Sequence, residues 1–144
     1  MGFPDRIERT LDLSHPPAKV WAALTTADGL GSWFGNTATV DHLRPGGIIH
    51  MTWTTGDKAD MRIERVEEPT VFGFTWQISG LPDDDPRRTY VEFTLVPAGT
   101  GTRLTMVESG FAQLTGDEHA TAHDGNAGGW TSELGELVEY LDAA

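Results

Sequence analysis

Apolar and polar residues alternate from Arg6 to Leu13, with Ile7, Leu11 and Leu13 on one side and Arg6, Glu8, Thr10 and Asp12 on the other. That is the period of a half-buried strand, and only Arg9 breaks it. Ser14-His15-Pro16-Pro17 ends the strand and opens a helix, because proline is tolerated in a first turn whose N–H groups have no partner. Val20, Trp21 and Leu24 then form an apolar stripe at helical spacing. Thr25 to Trp33, which contains Gly29 and Gly31, predicts a second short helix ending in the pair Trp33-Phe34.

From Gly35 the pattern changes to strands parted by turns. Expected strands cover Asn36 to Leu43, Ile48 to Thr54, Asp60 to Val66, Val71 to Ser79, Arg88 to Val96 and Thr102 to Gly110. Between them stand Arg44-Pro45-Gly46-Gly47, Thr55-Gly56-Asp57-Lys58, Glu67-Glu68-Pro69, an acidic loop from Gly80 to Pro86, and Ala98-Gly99-Thr100-Gly101. Phe72, Phe74, Trp76 and Ile78 share one face of their strand, as do Val91, Phe93 and Leu95, and then Leu104, Met106 and Glu108. Short turns make neighbouring strands antiparallel, and a sheet with one apolar face requires a cover. Trp130, Leu134, Leu137 and Leu141 supply it, at the spacings of an amphipathic helix that turns Glu133, Glu136 and Glu139 to water. The expected fold is α+β, a helix-grip arrangement. A curved antiparallel sheet of about six to seven strands wraps a long C-terminal helix, with two short helices after the first strand and a cavity where side chains leave space.

Composition narrows the function classes. At 144 residues the chain is expected to be one domain, 1–144, with 38% hydrophobic residues to build a single core. No apolar run reaches the length of a membrane span, and Met1 to Arg6 lacks the regions of a signal peptide, so the expected location is cytoplasmic, with no membrane partner. Without cysteine there is no disulfide, thiolate metal site or cysteine nucleophile. A formal charge of −12 repels phosphate backbones and argues against nucleic acid. Gly99-Thr100-Gly101 lies between two strands and reads as a hairpin turn rather than a phosphate loop, and neither a Gly-x-Ser-x-Gly nor a Walker lysine motif occurs. No cofactor is expected.

Six segments in order carry a family resemblance: Ala18-Lys19-Val20-Trp21-Ala22-Ala23-Leu24-Thr25, Trp33-Phe34-Gly35, Leu43-Arg44-Pro45-Gly46-Gly47, Pro69 with Phe72-Gly73-Phe74-Thr75-Trp76, Gly101-Thr102-Arg103-Leu104-Thr105-Met106, and Gly129-Trp130 with Leu134 and Leu137. Together they resemble the activator of heat-shock-protein ATPase homologue-like (AHSA-type) family of the START-like, or SRPBCC, superfamily. The resemblance implies the helix-grip fold and a hydrophobic cavity open at one end. On activity it implies less, since the superfamily includes lipid carriers, hormone receptors, cyclases and chaperone activators on one scaffold. Family members often carry a histidine shortly before the Gly-Trp; here Asn126 occupies that neighbourhood and His123 lies farther back.

The candidate chemistry centres on Glu108, which follows Leu104 and Met106 onto the apolar face, where a carboxylate is costly to leave unpaired. It is the candidate polar anchor for a ligand, or a general acid or base; the bland alternative is a strand-end residue that reaches water or pairs with arginine. Trp33, Phe34, Met51, Trp53, Phe74, Trp76, Phe93, Met106, Phe111, Trp130 and Leu134 are the candidate pocket lining, each also explicable as ordinary core. His119 and His123, near Asp117, Glu118 and Asp124, are an incomplete metal-ligand set, and a solvated acidic helix start is the better reading, so no metal is expected. The expected activity is the binding of a small hydrophobic molecule between sheet and helix. An enzyme of cyclase, aromatase or hydrolase type in the same cavity and a chaperone-associated interaction protein are the alternatives, and a homodimer is left open.

Overall fold

In the computed structural model, which describes residues 5–78, 81–82 and 84–143, the first strand β1 (Arg6–Leu13) has the limits its alternation predicts. Two helices follow, α1 (Pro17–Thr25) and α2 (Ala27–Trp33). Pro17 opens α1, and the Thr26 hydroxyl caps α2 by accepting the Gly29 N–H at 3.0 Å. The strands β2 (Thr37–Val40), β3 (Ile48–Thr52), β4 (Lys58–Glu67), β5 (Val71–Gln77), β6 (Arg88–Ala98) and β7 (Gly101–Ser109) come next, and α3 (Gly116–Ala143) ends the chain's described part. Ser79, Gly80 and Asp83, which belong to the expected end of the fifth strand and to the acidic loop, lie outside the described residues, as do residues 1–4 and 144.

One antiparallel sheet of seven strands has the order β1-β7-β6-β5-β4-β3-β2. Consecutive strands pair through their turns, as short connections require, and the first strand closes the order by pairing with β7 from Arg6↔Ser109 to Leu13↔Thr102. This is the α+β helix-grip fold. Every second residue of β6 and β7 points inward, burying Val91, Phe93 and Leu95 beside Leu104, Met106 and Glu108. The helix meets that face with Trp130, Leu134, Leu137 and Leu141. Across β5 and β6 the Tyr90 ring lies over Gly73, where a Cβ would sit 2.0 Å from the Tyr90 hydroxyl, so a larger residue there displaces that side chain.

Most strand ends fall within two residues of the expected ones, and three features depart further from the pattern. β2 stops at Val40, because the Asp41 carboxylate accepts the Ile48 N–H at 2.8 Å and turns the chain early. Arg9, the exception in β1, faces inward and reaches α3, where its guanidinium donates to the Ala127 carbonyl at 3.3 Å. The third difference is the length of α3, 28 residues, through Gly125, Gly128, Gly129 and Gly135. A Cβ at any of these four would meet nothing within 4 Å, so the glycines weaken helix propensity without being required by packing, and tertiary contacts override them. Gly135→Ala is therefore expected to stabilise the protein by about 0.5–1 kcal/mol, read as a higher urea midpoint with an unchanged slope. No described helix is long and apolar enough to cross a membrane.

Candidate functional site

Glu108 stands on the inward face of β7 between Val91 of β6 and Ile7 of β1, and it is fully buried. Four side chains from three other elements donate to it. From β5, Trp76 Nε1 donates to Oε2 at 2.7 Å; from β6, the Thr89 hydroxyl donates to the same oxygen. From α3, Trp130 Nε1 donates to Oε1 at 2.8 Å, and Asn126 Nδ2 reaches both oxygens at 3.0 and 3.1 Å. All are neutral donors, matched to a group that only accepts, which removes the cost of burying a carboxylate on an apolar face. Glu108 is closed to bulk water, and the side chains that hold it are two indoles, a threonine and an asparagine rather than an arginine. Asn126 and Trp130 are four apart on α3 and share a helix face, which lets one carboxylate fasten the helix to three strands.

The indoles held this way form one wall of a cavity. Phe34, at the end of α2, stacks on Trp76 at 5.8 Å between ring centres and on Trp130 at 5.5 Å. Trp53 meets the edge of Phe34 at 5.6 Å, and its Nε1 donates to the Phe34 carbonyl at 2.7 Å. Beside these rings lies a space of about 580 Å³, lined also by Ile78, Leu81, Ala59 and Gln77, by Thr55 and Asp57 of the turn between β3 and β4 and Lys58 at the start of β4, and by Gly125, Asn126, Gly129 and Glu133 of α3. Its size, with four aromatic side chains among fifteen described lining residues, is that of a small-molecule site.

Of the residues expected to line a pocket, Phe34, Trp53, Trp76 and Trp130 border this cavity. Trp33, Met51, Phe74, Phe93, Met106, Phe111 and Leu134 are buried core that does not reach it, and Glu108 lies behind the indoles. Trp33 Nε1 instead donates to the Ala23 carbonyl at 2.7 Å, locking α2 to α1. His123 packs its ring on Phe111 at 5.2 Å, and His119 is buried. Among the described residues no group of three or more His, Cys, Asp or Glu is placed to hold a metal ion.

Glu133 corrects the sequence reading, which turned it to water. It is half-buried at the cavity wall, and its Oε2 is withdrawn from water with no hydrogen-bond partner among the described residues. Burial, with a smaller contribution from the Glu136 charge, pushes its carboxyl up to about 7. The signal was present in the sequence: Asn126, Gly129, Trp130 and Glu133 follow at spacings of three, one and three, so Glu133 stands on the edge of the stripe that Trp130 begins.

A bent antiparallel sheet closed over one long helix, with an aromatic cavity at one end of their contact, defines the helix-grip class. The model of the Activator of Hsp90 ATPase homolog 1-like protein family matches residues 14–142, and the chain belongs to that family. Among solved structures, protein MLL2253 from Mesorhizobium loti is similar at 28% identity and a TM-score of 0.78, over 96% of this chain and 98% of that one. CalU16 from Micromonospora echinospora is 25% identical with a TM-score of 0.74, over 94% of this chain and 75% of that one. DynU16, a putative protein in the dynemicin biosynthetic locus, shares the fold at 24% identity and a TM-score of 0.77, over 97% of this chain and 48% of its own. None of the curated proteins matches.

Proposed function

We propose that this chain is a small-molecule binding protein that holds an apolar, ring-containing ligand between α3 and the β3–β5 end of the sheet. The observation that carries the reading is the cavity itself, about 580 Å³ bounded by Phe34, Trp53, Trp76 and Trp130. Aromatic walls of this kind supply area and orientation together. The saturation of Glu108 by protein donors supports a carrier over a cyclase or hydrolase that would use this residue as acid or base, since a base needs a lone pair free for substrate. An interaction protein would present a large apolar patch, whereas the exposed large hydrophobics among the described residues are Leu43 and Val96. A cytoplasmic location and a homodimer belong to the proposal as well, open to fractionation and sedimentation.

The test is a thermal-shift and native mass-spectrometry screen of the full chain against naphthalene-type aromatics, fatty acids and polyketide-like phenols. A true ligand at about a hundred times its Kd raises the melting temperature by roughly 5–10 °C. A screen in which no aromatic compound shifts the melt or persists on the protein in the gas phase removes the proposal.

A further inference from the structure

The charges around the cavity are uneven. Among the described residues that line it, Glu133 and Asp57 oppose a single cation, Lys58, which is exposed on the far side from α3. Glu108 cannot serve a ligand without giving up a protein donor, because both its oxygens are engaged by Trp76, Thr89, Asn126 and Trp130. Glu133 is in the opposite condition: its Oε2 is buried and unpartnered among the described residues, a state that costs free energy until a donor arrives. The adjoining rings present π faces and edges, and π faces attract cations. A ligand carrying its own positive hydrogen-bond donor would satisfy both features at once.

We infer that the cavity takes a primary amine on an aromatic skeleton, bound as its ammonium ion, with the ring system among Phe34, Trp53, Trp76 and Trp130 and the ammonium paired with Glu133. This rests on the cavity being a ligand site, and it names the ligand's class. A change in the Glu133 side-chain torsions nearer the helix swings the whole carboxylate from its buried position at the wall into the cavity, where the ammonium donates to it. A carboxylate or phosphate ligand is repelled by the same wall. Among the described residues, the charged groups facing Glu133 are Glu136 on its own helix and, across the cavity, Asp57 and Lys58; Glu108 sits behind Trp130.

The sign of the pH dependence follows from which form binds. The ammonium pairs with ionised Glu133, and the free group is half ionised at about 7, so affinity rises with pH through that value. Between about pH 8 and about pH 6 the ionised fraction falls about tenfold, and the apparent affinity falls with it.

The experiment is calorimetric titration of the full chain at both pH values with 1-naphthylmethylamine, 1-naphthylmethanol and 1-naphthoate. At the higher pH the amine is expected to bind about tenfold tighter than the alcohol, and at the lower pH to lose most of that margin, while the alcohol is unaffected. Glu133→Gln should bind amine and alcohol alike at both pH values, with its affinity for the alcohol showing that the cavity is intact. The inference is overturned if the alcohol or the naphthoate equals the amine at the higher pH, or if Glu133→Gln keeps the amine preference and its pH response. Should the alcohol bind without any advantage for the amine, only the ligand class falls. Should none of the three bind, the binding-protein reading falls with it.

Discussion

Glu108→Leu is expected to lower the melting temperature by about 10–15 °C. The substitution fits the apolar face of β7 by shape, but it leaves the Trp130 indole N–H, a threonine hydroxyl and an asparagine amide without their acceptor, and it leaves the Trp76 indole with only the Thr89 hydroxyl oxygen at 3.0 Å. Each orphaned buried donor costs about 1–3 kcal/mol, and leucine burial offsets part of the sum, leaving about 3–5 kcal/mol. At this chain length each kcal/mol moves the midpoint by roughly 3 °C. Glu108→Gln should fall between leucine and the native protein, because the amide keeps one accepting oxygen but aims its NH₂ at donors. Calorimetric melts of the three proteins decide the matter; a leucine variant that melts within two or three degrees, about 1 kcal/mol, of the native chain would show that the carboxylate does not fasten helix to sheet. Loss of ligand affinity should accompany the loss of stability, since Trp76 and Trp130 take their positions from this group. Glu108 is thus a positioning residue in the proposed site.

The second large effect concerns binding rather than stability. Gly129→Leu is expected to weaken the binding of any aromatic ligand by about thirtyfold or more, roughly the 2 kcal/mol that displacing a ring from a filled site costs. Gly129 lines the cavity, and a Cβ there meets nothing within 4 Å, so the leucine grows into open space without disturbing the helix. Helix propensity improves with the change, so the melting temperature should hold or rise. Gly135→Leu is the control, on the same helix but away from the cavity wall, and its affinity should stay at the native value. Equal affinity in both variants, measured with one aromatic probe, would mean that the ligand sits elsewhere.

Periodicity went far with this chain because each element answers to a local rule. The alternation in β1, the phenylalanines of β5 and the inward residues of β6 and β7 were readable, since a strand's faces follow from the parity of its positions. The helix stripe from Trp130 to Leu141 was equally plain, yet the first four turns of α3 were not. Four glycines obscure them, and only contact with the sheet and with Phe111 makes that segment helical. For the site, sequence spacing picked out Glu108 and four of the rings that border the cavity, but it could not separate lining from core. Phe74 and Trp76 share a strand face, and Phe74 is core while Trp76 borders the cavity.

By itself the sequence determined a helix-gripping antiparallel sheet, the inward face of β1, β5, β6 and β7 and the presence of one carboxylate on that face. Tertiary structure alone decided what the carboxylate does. Its donors come from β5, β6 and α3, separated from it by 18 to 32 positions in the chain, and no periodicity records which distant side chains will meet. The same holds for Glu133, whose neighbours on the helix fix its direction but whose burial depends on the opposite wall. Direction is a property of local backbone geometry, whereas partnership and exposure arise only when the elements pack.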